Sequence, residues 1–296
     1  MRKAGSGIIG ATAVGALCLA VSGCGSGSSA SSALDPVAKA ADATSSAKSF
    51  RLTLNGNVSA GGISFALQGN GAFDQAHKLG NLNFTIPNLP GGSGSLTFKE
   101  LFDNNVIYIG FPSGLPGGAS LPGGKQWIKI DLQKALASKG INLGQLSGLA
   151  GNDPSQYLSY LRSTGHVKKI GTETVQGVST THYHAIINLQ QVAKQVGRLS
   201  PAAKAGFQSL LKQTGSQNLP VDVWIDSSNM VRQERISYGS STTSTPVNLT
   251  LTLDLSDFGT PVSVTPPPAS QVYDATAAAT QGLSGQSGQT STTPIP

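Results

Sequence analysis

Three groups of side chains in this 296-residue chain have the type and spacing to do chemistry. His182 and His184 stand two apart in an alternating segment, so both imidazoles fall on one face of a strand, where two rings could ligate a metal. No third ligand stands beside them, and the plainer reading is a pair of solvent-facing histidines beside an inward Tyr183. Asp222 and Asp226 share one face of another alternating segment, on either side of Trp224. Two carboxylates so placed suit acid/base work or calcium binding. Without a third acidic cluster they read instead as neighbours of a tryptophan that covers apolar surface near a rim, with Asp226 opening the turn Asp226-Ser227-Ser228-Asn229. The last group is one residue, Cys24, the end of Leu19-Ala20-Val21-Ser22-Gly23-Cys24.

The stretch before Cys24 is built like a secretory signal. Arg2 and Lys3 form a basic start, and Ile8 to Ala20 is an apolar run too short and glycine-rich to span a bilayer comfortably. With its small residues before cysteine it resembles a bacterial lipobox. That resemblance implies cleavage before Cys24 and a diacylglycerol on the Cys24 thiol, which would hold the protein on the outer face of a bacterial cell membrane. An ordinary secretory signal with a chance cysteine is the alternative. Cys18 leaves with the signal, so an acylated Cys24 leaves no thiol for catalysis, metal binding or a disulfide.

Other reactive constellations are missing from the sequence. A lipid hydrolase of the α/β plan needs a strained G-x-S-x-G turn to expose its serine, and zinc hydrolysis needs a pattern such as H-E-x-x-H. Neither occurs in the mature part, nor does a glycine-rich phosphate loop followed by Lys-Ser/Thr. The expectation is a protein that is not an enzyme and needs no metal or cofactor. The formal charge of +6 includes Arg2 and Lys3 of the signal, and the remaining basic residues are scattered. Lys168-Lys169 is the only adjacent basic pair after the signal, so nothing argues for a nucleic-acid partner.

With 37 glycines and only 11% charged residues, the chain suits strands and turns better than long surface helices. Residues 1–23 read as the signal, 24–34 as a flexible Gly/Ser tether, 35–270 as one folded domain, and 271–296 as a disordered low-complexity tail. Asp35-Pro36 opens a short helix that continues to Lys48. Apolar alternation then predicts strands around Phe50, Leu52 and Leu54, around Ile63, Phe65 and Leu67, and around Leu82, Phe84 and Ile86. It continues at Leu96 and Phe98, Val106 to Ile109 and Trp127 to Ile130. Asn-Gly and Gly-Gly pairs mark a hairpin between the first two. Helical spacing occupies the centre. Asp131 caps a segment to Ser138, and further segments cover Asn142 to Leu149 and, after Asp153-Pro154, Tyr157, Leu158 and Leu161. Strands resume at Val167 to Gln176 and Val178 to Leu189, helices at Gln190 to Leu199 and Ala202 to Gln213. Strands close the domain at Val221 to Asp226, Met230 to Tyr238 and Val247 to Leu255. The fold class is α+β: about ten or eleven antiparallel strands in a sheet that must curl, with helices covering its concave face.

Three segments carry a resemblance. Thr181-His182-Tyr183-His184-Ala185-Ile186-Ile187-Asn188-Leu189, then Leu219-Pro220-Val221-Asp222-Val223-Trp224-Ile225-Asp226 with Val231-Arg232, then Leu253-Asp254-Leu255-Ser256-Asp257-Phe258-Gly259 resemble the LppX/LprG-type actinobacterial lipoproteins, a group related to LolA-like carriers. The resemblance spans roughly residues 35 to 270 in order of elements. It implies a curved antiparallel half-barrel, unclosed, whose helix-covered hollow holds the acyl chains of a lipid or glycolipid. It also implies carriage of that lipid within the cell envelope, with an exporter or acceptor protein as partner.

Lipid contact requires only apolar area, each buried methylene contributing about 0.8 kcal/mol. The inward candidates for such contact are Leu52, Leu54, Phe65, Leu67, Phe84, Ile86, Phe98, Val223, Ile225, Leu251 and Leu253, with Leu158 and Leu161 above them. The same side chains would also form a plain core, and a mostly apolar cavity above about 300 Å³ is what separates the two readings. The rival function is a structural or regulatory surface lipoprotein that binds protein partners through a contiguous exposed apolar patch.

Overall fold

The computed structural model describes residues 34–87, 94–110, 112, 120–137, 167–188, 190, 218–240 and 247–282. Each segment with a two-residue apolar period is a strand there. The first half holds β1 (Ser49–Ala60), β2 (Ile63–Asp74), β3 (Leu79–Ile86), β4 (Leu96–Asp103), β5 (Val106–Gly110) and β6 (Trp127–Asp131). The second holds β7 (Val167–Val175), β8 (Val178–Asn188), β9 (Asn218–Asp226), β10 (Val231–Ser240) and β11 (Val247–Ser256). A helix α1 (Leu34–Ser46) precedes β1, and α2 (Leu132–Ala137) follows β6. Asp131 caps α2 as its position predicts, its Oδ1 accepting the Lys134 N–H at 3.0 Å. The hairpin between β1 and β2 turns on Gly61 and Gly62, both at positive φ (59° and 81°), whereas Asn55-Gly56, also a turn signal, lies inside β1.

Two expectations need correction. The described residues form twelve strands, and the fold does not end at residue 270. Past Pro266-Pro267-Pro268, β12 (Val272–Asp274) pairs in parallel with β6, and α3 (Thr276–Gly282) packs on α2 and β6. Residues 272–282 thus belong to the fold rather than to a disordered tail. Composition hid this, because a three-residue strand shows no periodicity and its pairing depends on where β6 lies in space.

The strands form one sheet in the order β12-β6-β5-β4-β3-β2-β1-β11-β10-β9-β8-β7. β1 lies in the middle, and the chain builds outward from it by antiparallel hairpins on one side and returns through β7 to β11 on the other. The two ends do not pair, so the sheet is open. Both edges are protected against pairing with another chain: β12 is only three residues long, and β7 carries Lys168, Lys169 and a register shift before Gly171.

The register puts most of the buried apolar side chains on one face, with Trp224 a large exception on the other. One row runs Ile128, Ile109, Glu100, Leu82, Gly71, Leu52, Leu255, and the next runs Phe98, Phe84, Gly69, Leu54, Leu253, Glu234, Val223, Tyr183. Phe84 stacks on Phe98 with ring centroids 4.8 Å apart, and Phe73 bridges Phe50 and Phe102 at 5.6 and 5.4 Å. Each fully buried leucine or phenylalanine here contributes about 1.5–3 kcal/mol. α1 lies on this face, since its Val37 and Ala40 join the core that contains Leu52, Leu54 and Leu253. Thr44 at its end is fully buried and accepts the Val231 N–H on Oγ1 at 2.9 Å, tying the helix to β10. The other helices expected over the face, at 142–149, 153–161, 190–199 and 202–213, lie outside the described residues but for Gln190. α2 and α3 sit instead beside β6, at one end of the sheet.

Candidate functional site

Eleven of the candidate contact residues are described, and they occupy the apolar face. Leu52, Leu54, Leu67, Phe84, Ile225, Leu251 and Leu253 are buried in its core, and Ile86, Phe98 and Val223 pack against that core partly exposed. Phe65 pairs with Val58 toward the turn between β1 and β2, and is half-buried. Leu158 and Leu161 lie outside the described residues, as does Cys24. Two surface depressions, of about 350 and about 390 Å³, are present. They are lined chiefly by residues of the opposite parity: Asn57, Ser59, Asn248 and Thr250 in one, Thr97, Lys99 and Gly110 in the other. Phe65 is the one candidate that lines either of them. The volumes fit a ligand but the linings are not the expected ones, because those side chains face the other way from the candidates.

The apolar face carries two carboxyls that the sequence reading passed over. Glu100 follows Leu96 and Phe98 and precedes Phe102 in the same alternation, and it is only 3% exposed. Its strand neighbours in register are Leu82 and Ile109. Oε2 is buried without a hydrogen-bond partner among the described residues, and burial pushes the carboxyl's pKa up to about 7. Glu234 sits between Leu253 and Val223, half-buried, and burial pushes it up to about 7 as well. The available signal was parity: a glutamate at an inward position of an alternating strand must be buried with the face it occupies.

On the opposite face of β7 to β10 a polar cluster surrounds Trp224. His182 lies flat on the indole, ring centroids 4.2 Å apart and planes within 15°. Its Nδ1 stands 2.8 Å from Glu173 Oε1 and its Nε2 2.9 Å from Asp222 Oδ1, so the ring is held between the two carboxyls. His184 donates from Nδ1 to the same Asp222 Oδ1 at 2.8 Å, and Trp224 donates from Nε1 to Glu173 Oε2 at 2.7 Å. The Arg235 guanidinium stands 4.7 Å above the Trp224 ring on the β10 side. Burial alone would raise the Asp222 pKa, but its bonds from the two histidines hold it below the usual range; for Glu173 the Trp224 and His182 bonds do the same.

His182 is therefore not solvent-facing, as its spacing had suggested. It is 9% exposed, and Trp224 1%, because β7 and β10 bring Glu173 and Arg235 over them. The four acidic and imidazole groups bond one another, and among the described residues no group of three or more is arranged to hold a metal. The cluster clamps four strands together. Asp226 lies beyond it and acts locally, as its place before a turn predicted: Oδ1 accepts the N–H of Ser228 and of Met230 at 2.8 and 2.9 Å, and Oδ2 accepts from Arg232 Nε at 2.7 Å. Exposed large hydrophobics among the described residues are Ile63, Ile170 and Ile186, on three different strands.

No family model matches the chain. An uncharacterized 31.2 kDa protein of Streptomyces griseus, from the rplA-rplJ intergenic region, is 28% identical over 186 residues, 62% of this chain and 58% of that protein. The chain thus spans less than two thirds of that relative's length. Among solved structures, the match to lipoprotein LppX of Mycobacterium tuberculosis covers 78% of this chain and 97% of LppX at 16% identity, with a TM-score of 0.43. The match to LprF from Mycobacterium bovis covers 79% of this chain and 97% of LprF at 15% identity, with a TM-score of 0.39. The chain resembles the LppX/LprG-type lipoproteins. No helix among the described residues is long and apolar enough to cross a membrane.

Proposed function

We propose that this protein is a lipoprotein without enzymatic activity, anchored by acylated Cys24 on the outer face of a bacterial cell membrane, that binds a lipid or glycolipid and carries it within the envelope. The observation that carries the reading is the single apolar face, on which candidate contacts from β1, β2, β3, β4, β9 and β11 fall into continuous rows. Such a face supplies what acyl chains need, area removed from water, and requires no reactive group. The lipobox supplies the place, beside a membrane that is both source and destination. The eleven described candidates are the proposed contacts on this face; Leu158 and Leu161, proposed with them, lie outside the described residues.

Native mass spectrometry of the protein purified without its acyl anchor tests the reading. A co-purifying lipid, or uptake of phospholipid or glycolipid offered in vitro, is the expected result. A protein that arrives empty and takes up neither is not a lipid carrier.

A further inference from the structure

We propose that Glu100 is the polar anchor of the ligand site on the apolar face, and that it selects a neutral lipid bearing a hydroxyl, such as a diacylglycerol or its glycosylated form, over an anionic phospholipid. This rests on the lipid-binding reading above and names the ligand class that the same face accepts. Glu100 is 3% exposed, stands between Leu82 and Ile109 on the neighbouring strands, and shares its own strand's inward face with Phe98 and Phe102. Among the described residues nothing donates to Oε2, and a buried carboxyl oxygen left unpaired destabilises the fold that holds it. A ligand group that supplies the missing bond offsets that cost, whereas an apolar ligand leaves it in place.

The chemistry of the carboxyl defines the partner. Ionised, it only accepts hydrogen bonds; protonated, it also donates one. A hydroxyl both donates and accepts, so it satisfies Glu100 in either state. A phosphate diester is negative and accepts only, so it meets the ionised carboxylate as a like charge in a setting where such contact is strongly unfavourable. Among the described residues no lysine or arginine stands in register beside Glu100 to relieve that repulsion. Glu234, across β3, β2, β1 and β11 from Glu100, is more open to solvent and is not part of the anchor.

The test offers dioleoylglycerol and dioleoylphosphatidylmethanol, an anionic diester without a hydroxyl, separately to the delipidated full chain at about pH 8.5, where Glu100 is ionised, and measures uptake of each by native mass spectrometry. The wild-type protein is expected to prefer dioleoylglycerol by at least about tenfold. Glu100→Gln keeps a group that bonds a hydroxyl and removes the charge, so it is expected to take both lipids about equally. Glu100→Leu removes the bond too and loses dioleoylglycerol affinity by about tenfold. Should Glu100→Leu fail to fold, the ratio in Glu100→Gln still decides. Equal uptake of the two lipids by the wild type, or an unchanged ratio in Glu100→Gln, overturns the anchor and leaves the lipid-binding reading intact. No uptake of either lipid by the wild type overturns that reading itself.

Discussion

Glu100 titrates with no counter-charge in register beside it, since Leu82 and Ile109 are its neighbours across the sheet. The folded protein holds its proton up to about pH 7, while an unfolded glutamate releases it near its ordinary value of 4.5. Between those values the folded state binds more protons, so the effect disfavours folding as pH rises. Stability should therefore fall between about pH 5 and about pH 8 by on the order of 3 kcal/mol from this group, and Glu100→Gln should lack that part of the fall. Urea midpoints of the two proteins at both pH values check it; parallel pH profiles would show that Glu100 is ionised without cost. Asp222 and Glu173 run the other way. Their pKa values are depressed in the fold, so the stability they supply is present above the ordinary carboxylate range and is lost as pH falls through their folded values. Asp226 is a purely structural acid. Asp226→Ala strips acceptors from two turn N–H groups and from Arg232, and is expected to cost about 2 kcal/mol in chemical denaturation.

Between β2 and β3 glycines decide how closely backbones approach. A Cβ on Gly71 would run into the Asn81 carbonyl oxygen, and one on Gly80 would come within 2.5 Å of the Phe73 ring that covers it. Gly171, in the edge strand β7, has open space around its Cβ position. Gly71→Ala is therefore expected to destabilise by about 3 kcal/mol and Gly171→Ala by under about 0.5 kcal/mol. Thermal melts of the two variants compare them directly, and equal losses would mean that the sheet relaxes around Gly71. Gly69 and Gly71 leave β2 with two inward positions that bear no side chain, at the middle of the face where the ligand is proposed to lie.

At the scale of the molecule, an open sheet must protect two edges. β6 is covered by the segment after the prolines: Lys125 Nζ donates to Ser270 O at 2.7 Å, Gln126 N–H to Gln271 O at 2.9 Å, and Ala275 N–H to Lys129 O at 2.9 Å. A chain truncated after Pro268 exposes that edge and is expected to self-associate, visible as a concentration-dependent mass by light scattering. A monomer at all concentrations would show that β6 needs no cover. Anchoring is separable from folding. Cys24→Ala should move the protein from the membrane fraction to the soluble fraction, and lipid uptake by the soluble form should match that of the wild type.

Eleven strands were legible in the sequence because each buries one face, and a period of two records that directly in residue order. Helix starts were legible where a capping residue marks them, as Asp131 does for α2. The proposed anchor at Cys24 rests on residue order alone, because a signal is a linear message. β12 was not, since its three residues pair with β6 only after the whole domain has brought them together. The polar cluster was half legible: His182, His184, Asp222 and Trp224 stood out by spacing, but Glu173 and Arg235 come from strands whose adjacency is a property of the sheet order. Glu100 was written into the alternation, yet its unpaired oxygen depends on what lies across β3 and β5. Residue order determines which face a side chain joins, because that is a local rule of the pleat. Tertiary structure alone decides what it meets there, because its neighbours on that face lie in other strands, far away along the chain.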